Sequence, residues 1–510
     1  MTKLRSFCAI SLCVLLAVTS LASANVKLPA VIGDNMVLQQ NTSASLWGWA
    51  DAGERITVKA SWHDSPISTK ASRDGKWLVK VPTPKASGPH TITIKGDNTI
   101  KLRNVMSGEV WVCSGQSNMQ WTVSNSNNAE EEIAAAKYPN VRLFYVPRTV
   151  ALEPQDDCEA DWQECSPETI PGFSAVAYFF GRTLHRELGV PIGLIHTSWG
   201  GTPAESWTRR EILESDDKLV PIIERHQKYR TDYPGLLEQH KARLEKWKVA
   251  AEKAKADGKK QPNKPRAPRD PVSSWTPSGL YNAMIAPFLN YTIQGAIWYQ
   301  GESNASRAYQ YQTLFPAMIE NWRADWNLGD FPFYFVQIAP YKGQIPEIRE
   351  AQLITLRKVL NTGMVVTTDI GNVDNIHPRN KQDVGKRLAL WALAKTYGEN
   401  KIVCSGPIYR AKRIEGNRIR LYFDYVGSGL IADGGELTHF TIAEKDKDFV
   451  PAKAVIEGST IVVSSPDAPN PVDVRFGWEN SAEPNLFNKE GLPASIFRTD
   501  KRKNVTFGNY

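Results

Sequence analysis

A serine hydroxyl becomes a nucleophile at neutral pH only beside a base that takes its proton, and that base is most effective when a third group orients it. One set of residues in this sequence is spaced for such work. Ser117 stands in VWVCSGQSNMQW, Val110 to Trp121, where an apolar run breaks into small and polar residues. Asp374 and His377 lie close together in TTDIGNVDNIHPRNKQD. At that spacing one turn of chain can carry both, with Asp374 accepting the Nδ1 proton, Nε2 facing Ser117, and Pro378 fixing the turn. A serine just past a strand end faces a crevice, and its own N–H sits where a developing oxyanion can be held. Serine in that position is also an ordinary helix cap, so its meaning comes from what accompanies it.

Acyl transfer needs further donors, and two other segments offer them. SWGGTPAESW presents the N–H groups of Gly200 and Gly201, which join that of Ser117 in the expected oxyanion hole. WYQGESNA presents the side chains of Gln300 and Asn304, either of which could complete it, beside Glu302. Polar residues crowded after an apolar strand are costly unless something uses them. Ser198 is the rival nucleophile, but His196-Thr197-Ser198-Trp199-Gly200 lacks the first glycine of G-x-S-x-G, and Met119 stands where Ser117 would need the second. His196, on an apolar strand, reads as a buried hydrogen-bonded residue. Trp121, Trp199, Trp207 and Trp275 offer aromatic faces to a sugar ring near these segments. Arg209, Arg210 and Arg307 are the nearby cations that could meet a carboxylate.

These residues need elements to position them. Apolar strand candidates (EVWVCSG, GLIHTSW, GAIWYQG, FYFVQIA, GMVVTTD) alternate with helical stretches such as SAVAYFFGRTLHREL and KQDVGKRLALWALAKTY. That alternation predicts an α/β fold with a parallel sheet covered by helices on both faces, and its active residues just beyond the carboxyl ends of the strands. Before it, residues 25–106 alternate apolar and polar positions between turn residues, predicting a small β domain; residues 405–510 predict another. The catalytic region is then 107–404, with an insertion at about 205–274. The insertion carries a Lys/Glu/Ala-rich helix, Leu237 to Ala256, and the basic run DGKKQPNKPRAPRDP, which reads as a solvated linker.

Residues 1–24 read as a secretory signal peptide: Lys3 and Arg5 precede the apolar run Phe7 to Val18, and Ala22-Ser23-Ala24 suits cleavage. The expectation is export to the periplasm or the exterior. No later stretch is apolar for long enough to span a membrane. The formal net charge of +7 is modest for 510 residues and spread along the chain, so neither nucleic acid nor an acidic membrane surface is implied. No Cys/His spacing suggests a metal site. Cys158 and Cys165 flank an acidic loop and could close a small disulfide in an oxidising compartment.

GQSNM, SWGGTPAESW, WYQGESNA and the DNIH turn resemble the blocks of the SGNH-hydrolase superfamily, and specifically of its secreted sialate O-acetylesterases. WTPSGLYNAMIAPF and NLFNKEGLPASIFRTD extend the resemblance over essentially the whole chain after residue 24. The resemblance implies a flavodoxin-like three-layer α/β/α domain carrying β domains. It also implies an esterase that removes acetyl groups from sugar hydroxyls, acting on an O-acetylated sugar without metal or cofactor. By position it makes Ser117 the nucleophile, His377 the base, Asp374 its orienting partner, and Gly200 or Gly201 the second-block donor. Glu302, Trp199 and Arg307 are the expected substrate contacts. The third block departs from the superfamily's Gly-x-Asn-Asp, so both Gln300 and Asn304 stand as its donor. An acetylated hemicellulose such as xylan is the alternative substrate, and an inert middle domain with carbohydrate-binding β domains is the alternative class.

Overall fold

The computed structural model describes residues 25–510, and the expected signal peptide lies outside them. Its organising element is one long strand, Thr99–Gly115 (β1). The first half alternates exposed residues with half-buried or buried ones and pairs antiparallel with Ser87–Lys95, while from Val105 onward every residue is buried. Six strands extend the sheet beyond that buried half: Tyr138–Tyr145 (β2), Trp162–Cys165 (β3), Ile192–Ser198 (β4), Gly295–Tyr299 (β5), Phe333–Val336 (β6) and Thr362–Val365 (β7). Their spatial order is β7-β6-β5-β1-β4-β2-β3. All neighbours are parallel except β2 with β3. The five apolar runs expected as strands are β1, β4, β5, β6 and β7; β2 and β3 are not among the expected strands.

Tryptophans define the two faces. Trp111 on β1 pairs with Gly295 on β5, so Trp298, three residues on, points to the opposite face. Trp111 packs edge-on against Phe180 of helix Ala175–Leu188, whereas Trp298 packs on Phe315 and Trp322 of helix Ala308–Trp326. Helices therefore cover both faces. On Trp111's face, helix Lys381–Trp391 lies so close that a Cβ on its Gly385 would fall 2.6 Å from the Phe179 Cβ.

The main helix of the insertion is Val220–Ala256, which starts well before the expected Leu237 and follows the short helix Arg210–Glu214. Only Ile222, Ile223 and Ala251 of it are buried, and its exposed faces carry Lys/Glu pairs such as Lys248 with Glu245. At the C-terminal end, Ile408–Glu415, Arg418–Asp424, Lys453–Glu457 and Thr460–Ser464 form one antiparallel sheet, and Phe440–Glu444 with Pro471–Phe476 centres another. This region docks on helix Glu347–Lys358 through a bidentate pair, Arg498 with Glu350 at 2.6 and 3.1 Å. The expected divide at 106/107 falls inside the continuous β1, and the one at 404/405 falls in the connection before Ile408.

Cys158 and Cys165 do not join as the sequence suggested they could. Both are free thiols: Cys165 ends β3 with its side chain in the core, Cys158 lies in the loop before it, and burial pushes each thiol up to about 12.

Candidate active site

The site forms where β1 ends between β4 and β5, the point at which strand order reverses across the sheet. Gly115, with φ +142°, lets β1 and β5 approach so closely that any Cβ there would overlap the Tyr299 carbonyl oxygen. The Gln116 N–H closes that approach by donating to the same oxygen at 3.0 Å. The chain then turns into the short helix Ser117–Gln120. Ser117 is its first residue, so its N–H is one of the first-turn amides that a helix leaves without an internal acceptor.

His377 comes from the loop after β7 and meets Ser117 at 2.8 Å between Nε2 and Oγ. Three contacts hold the ring and its loop. Trp121 stacks on the imidazole with centroids 5.3 Å apart, the His377 N–H donates to Asn375 Oδ1, and Asn118 Nδ2 donates to the Ile376 carbonyl at 3.1 Å. Desolvation first, and the Lys381 ammonium second, hold the His377 imidazole below its ordinary 6.5. At pH 7 the ring is therefore predominantly neutral, which is the form a general base requires.

A second serine–histidine pair sharpens the contrast. His196 Nε2 lies 2.7 Å from Ser198 Oγ, but both residues are 1% exposed and burial pushes the imidazole down to about 3. No substrate reaches a pair enclosed in the core, so the sequence reading of His196 holds and Ser198 is not a rival. Ser117 and His377 keep partial exposure at the strand ends.

Asp374 departs from expectation. Asn372 Oδ1 accepts from the N–H groups of Asp374 and Asn375, closing a turn that leaves the Asp374 carboxylate 75% exposed and bonded to Lys342 at 2.8 Å. No hydrogen bond joins it to His377 among the described residues.

The expected oxyanion donors also divide. Gly200 lies against Ser117: a Cβ on it would fall 3.3 Å from that of Ser117, and its N–H is engaged, donating to Gln120 Oε1 at 2.6 Å. Gly201 follows with φ +73°. Gln300 and Asn304 are instead committed to the scaffold. Gln300 Nε2 donates to Asn304 Oδ1 and the Thr202 carbonyl, and its Oε1 accepts from Tyr311. Asn304 Nδ2 donates to Glu205 while its Oδ1 accepts the Ala204 N–H. With exposures of 0% and 1%, the two amides rivet the second block to the third rather than facing Ser117.

Of the expected substrate contacts, Glu302 lies behind Ser117. Its Oε1 accepts from Asn118 Nδ2 at 2.7 Å and its Oε2 is enclosed without a partner among the described residues, so desolvation raises its carboxyl above 4.5. Trp199 is half-buried with the Arg148 guanidinium 5.9 Å above its ring. Arg307 pairs with Glu205 at 3.1 Å. The sequence reading missed Lys381. It is fully buried, its Nζ donates to Asn118 Oδ1 at 2.6 Å and lies 5.2 Å from the Tyr299 ring, and desolvation pushes it down to about 7. Asn118 thus links a buried cation to a buried carboxyl directly beneath the serine.

A family model described as carbohydrate esterase, sialic acid-specific acetylesterase, matches residues 107–251 and 270–394. The sialate O-acetylesterase of Rattus norvegicus is 34% identical over 434 residues, covering 76% of this chain and 76% of that protein. The Homo sapiens sialate O-acetylesterase is 33% identical over 426 residues, covering 75% and 73%. The crystal structure of a carbohydrate acetylesterase from Xanthomonas citri superimposes with a TM-score of 0.79 at 33% identity, over 94% of this chain and 100% of that one.

Proposed function

Because this chain belongs to the sialic acid-specific acetylesterase family of carbohydrate esterases, we propose that it removes O-acetyl groups from sialic acids by serine catalysis. Ser117 is the nucleophile and His377 the base. The observation that carries this reading is the 2.8 Å contact between His377 Nε2 and Ser117 Oγ at the carboxyl end of β1.

His377 takes the Ser117 proton as Oγ attacks the acetyl carbonyl carbon. The oxyanion rests on the Ser117 N–H and on the Gly200–Gly201 turn, where the Gly200 N–H exchanges Gln120 Oε1 for the substrate oxygen. The imidazolium then protonates the departing sugar oxygen, leaving an acetyl-enzyme. Water attacks that ester while His377 takes its proton, acetate departs, and Ser117 regains its hydrogen. With Asp374 turned to Lys342, Ser117 and His377 act as a dyad whose ring is oriented by Trp121 and by the Asn375 and Asn118 contacts to its loop. Gln300 and Asn304 serve by holding the blocks together.

The parallel sheet with helices on both faces supports the flavodoxin-like SGNH architecture, as does the placement of the three blocks after β1, β4 and β5. The residues from 25 through the first half of β1, and residues 405–510, flank it as β domains. Residues 1–24 direct export to the periplasm or the exterior.

The test is acetate release from an O-acetylated sialoglycoprotein and from acetylated xylan, with Ser117→Ala as control. Release from the sialoglycoprotein that the variant lacks is the expected result. Release only from xylan keeps the chemistry and replaces the substrate; release from neither overturns the esterase reading in favour of carbohydrate binding alone.

A further inference from the structure

Beside the Gly200–Gly201 turn, the insertion roofs a cavity of about 520 Å³, within the size range of small-ligand sites. Its walls are the first turns of helix Val220–Ala256, the end of the basic Pro-rich run, and Trp275. The Trp275 Nε1–H donates to the Gly201 carbonyl at 2.7 Å, which ties this wall to the turn that flanks Ser117. Trp275 thus joins the cavity wall to Gly201, the residue after the Gly200 that lies against Ser117.

The lining is cationic and forked. Arg225, Arg269 and Arg307 face it with His226, against Glu205 and Asp270. The Glu205 carboxylate pairs with Arg225 at 3.3 Å and Arg307 at 3.1 Å, so it cannot offset all three guanidiniums. Arg269 lies flat over Trp275, 3.9 Å from the ring centroid, and has no carboxylate partner among the described residues. Arg225 Nη1 and Arg307 Nε are enclosed in the walls without an acceptor among those residues, an arrangement that leaves N–H groups unsatisfied. A planar carboxylate is the ligand that matches guanidinium forks, and the indole beside it suits the apolar face of a sugar ring.

We propose that this cavity is a subsite for the carboxylate of an acidic sugar, with Arg269 stacked on Trp275 as its principal contact and Arg225 and Arg307 turning toward it. This rests on the carbohydrate-esterase reading and deepens it by naming what selects the substrate. It also gives the basic run DGKKQPNKPRAPRDP, expected to be a solvated linker, a share in recognition through its Arg269. The carboxylate has two sources, a sialic acid or a uronic acid.

The experiment is calorimetric titration of Ser117→Ala and of Ser117→Ala/Arg269→Gln with N-acetylneuraminic acid, with glucuronic acid, and with the methyl ester of N-acetylneuraminic acid. The expected result is that Ser117→Ala binds one of the two acids and that Arg269→Gln weakens this about tenfold or more, as loss of a charge-assisted contact does. The ratio of acid to ester affinity should fall with it, and which acid binds identifies the source. Arg269→Lys, which keeps the charge without the fork, should recover part of that ratio, separating recognition from misfolding. Binding of neither acid, or an acid-to-ester ratio unmoved by Arg269→Gln, overturns the subsite. These titrations need no acetate release, so the esterase reading stands or falls separately on the Ser117→Ala hydrolysis control.

Discussion

At the scale of single residues, the proposed reaction depends on keeping His377 neutral and aimed. Ser117→Ala and His377→Ala should each lower kcat by about three orders of magnitude or more on an O-acetylated sugar or an aryl acetate. Asp374→Asn should change kcat by less than about fivefold, because an exposed carboxylate on a surface lysine contributes little. A large loss in that variant would return Asp374 to the triad. The imidazolium is the inactive form and His377 is held below 6.5, so the acidic limb of kcat/KM should fall below pH 6.5. Lys381 is one of the two causes of that shift. In the range where His377 titrates, Lys381 carries its charge and disfavours a second one nearby. Lys381→Met should therefore move the acidic limb to higher pH, measurable in the pH–rate profile; an unmoved limb would mean that burial alone sets the base.

At the scale of elements, the site is a product of close approach. Gly115→Ala should destabilise the protein by about 2–5 kcal/mol, since it combines a strained φ with overlap on Tyr299. Because Ser117 lies two residues on, kcat should fall together with Tm, whereas Ser117→Ala should lose activity while keeping its Tm. The sheet was legible in the sequence because parallel strands covered on both faces read as unbroken apolar runs. The strand β2 escaped notice because its run starts in YPN and ends on an exposed Tyr145. That Ser117 and His377 meet was legible from spacing and block order, but the direction of the Asp374 side chain was not, for a physical reason. Spacing shows that two side chains share a turn, not which way each points, and here the Asn372 side chain sets the turn. Gln300 and Asn304 were correctly singled out as polar groups that something must use, yet what uses them is the scaffold. Lys381 was invisible because a lysine opening a helix ordinarily stands in solvent.

At the scale of the whole molecule, the C-terminal region braces the layer that carries β6 and β7. Arg498 and Glu350 are 9% and 13% exposed in their side chains, so Arg498→Met leaves a carboxylate uncompensated at low exposure. A loss of about 3–5 kcal/mol in chemical denaturation is the expected outcome, with Glu350→Gln in the same background recovering part of it. The chain's other end is joined still more tightly, since β1 belongs to both regions at once. Its outer half pairs with Ser87–Lys95, already made when β1 leaves the ribosome, but the strands that flank Val110–Gly115 are Ile192–Ser198 and Gly295–Tyr299. During synthesis, then, the most apolar segment of the site waits as an unpaired edge while long tracts of chain are still to be made. That nascent edge is the stretch on which self-association and the attention of a holding chaperone should concentrate.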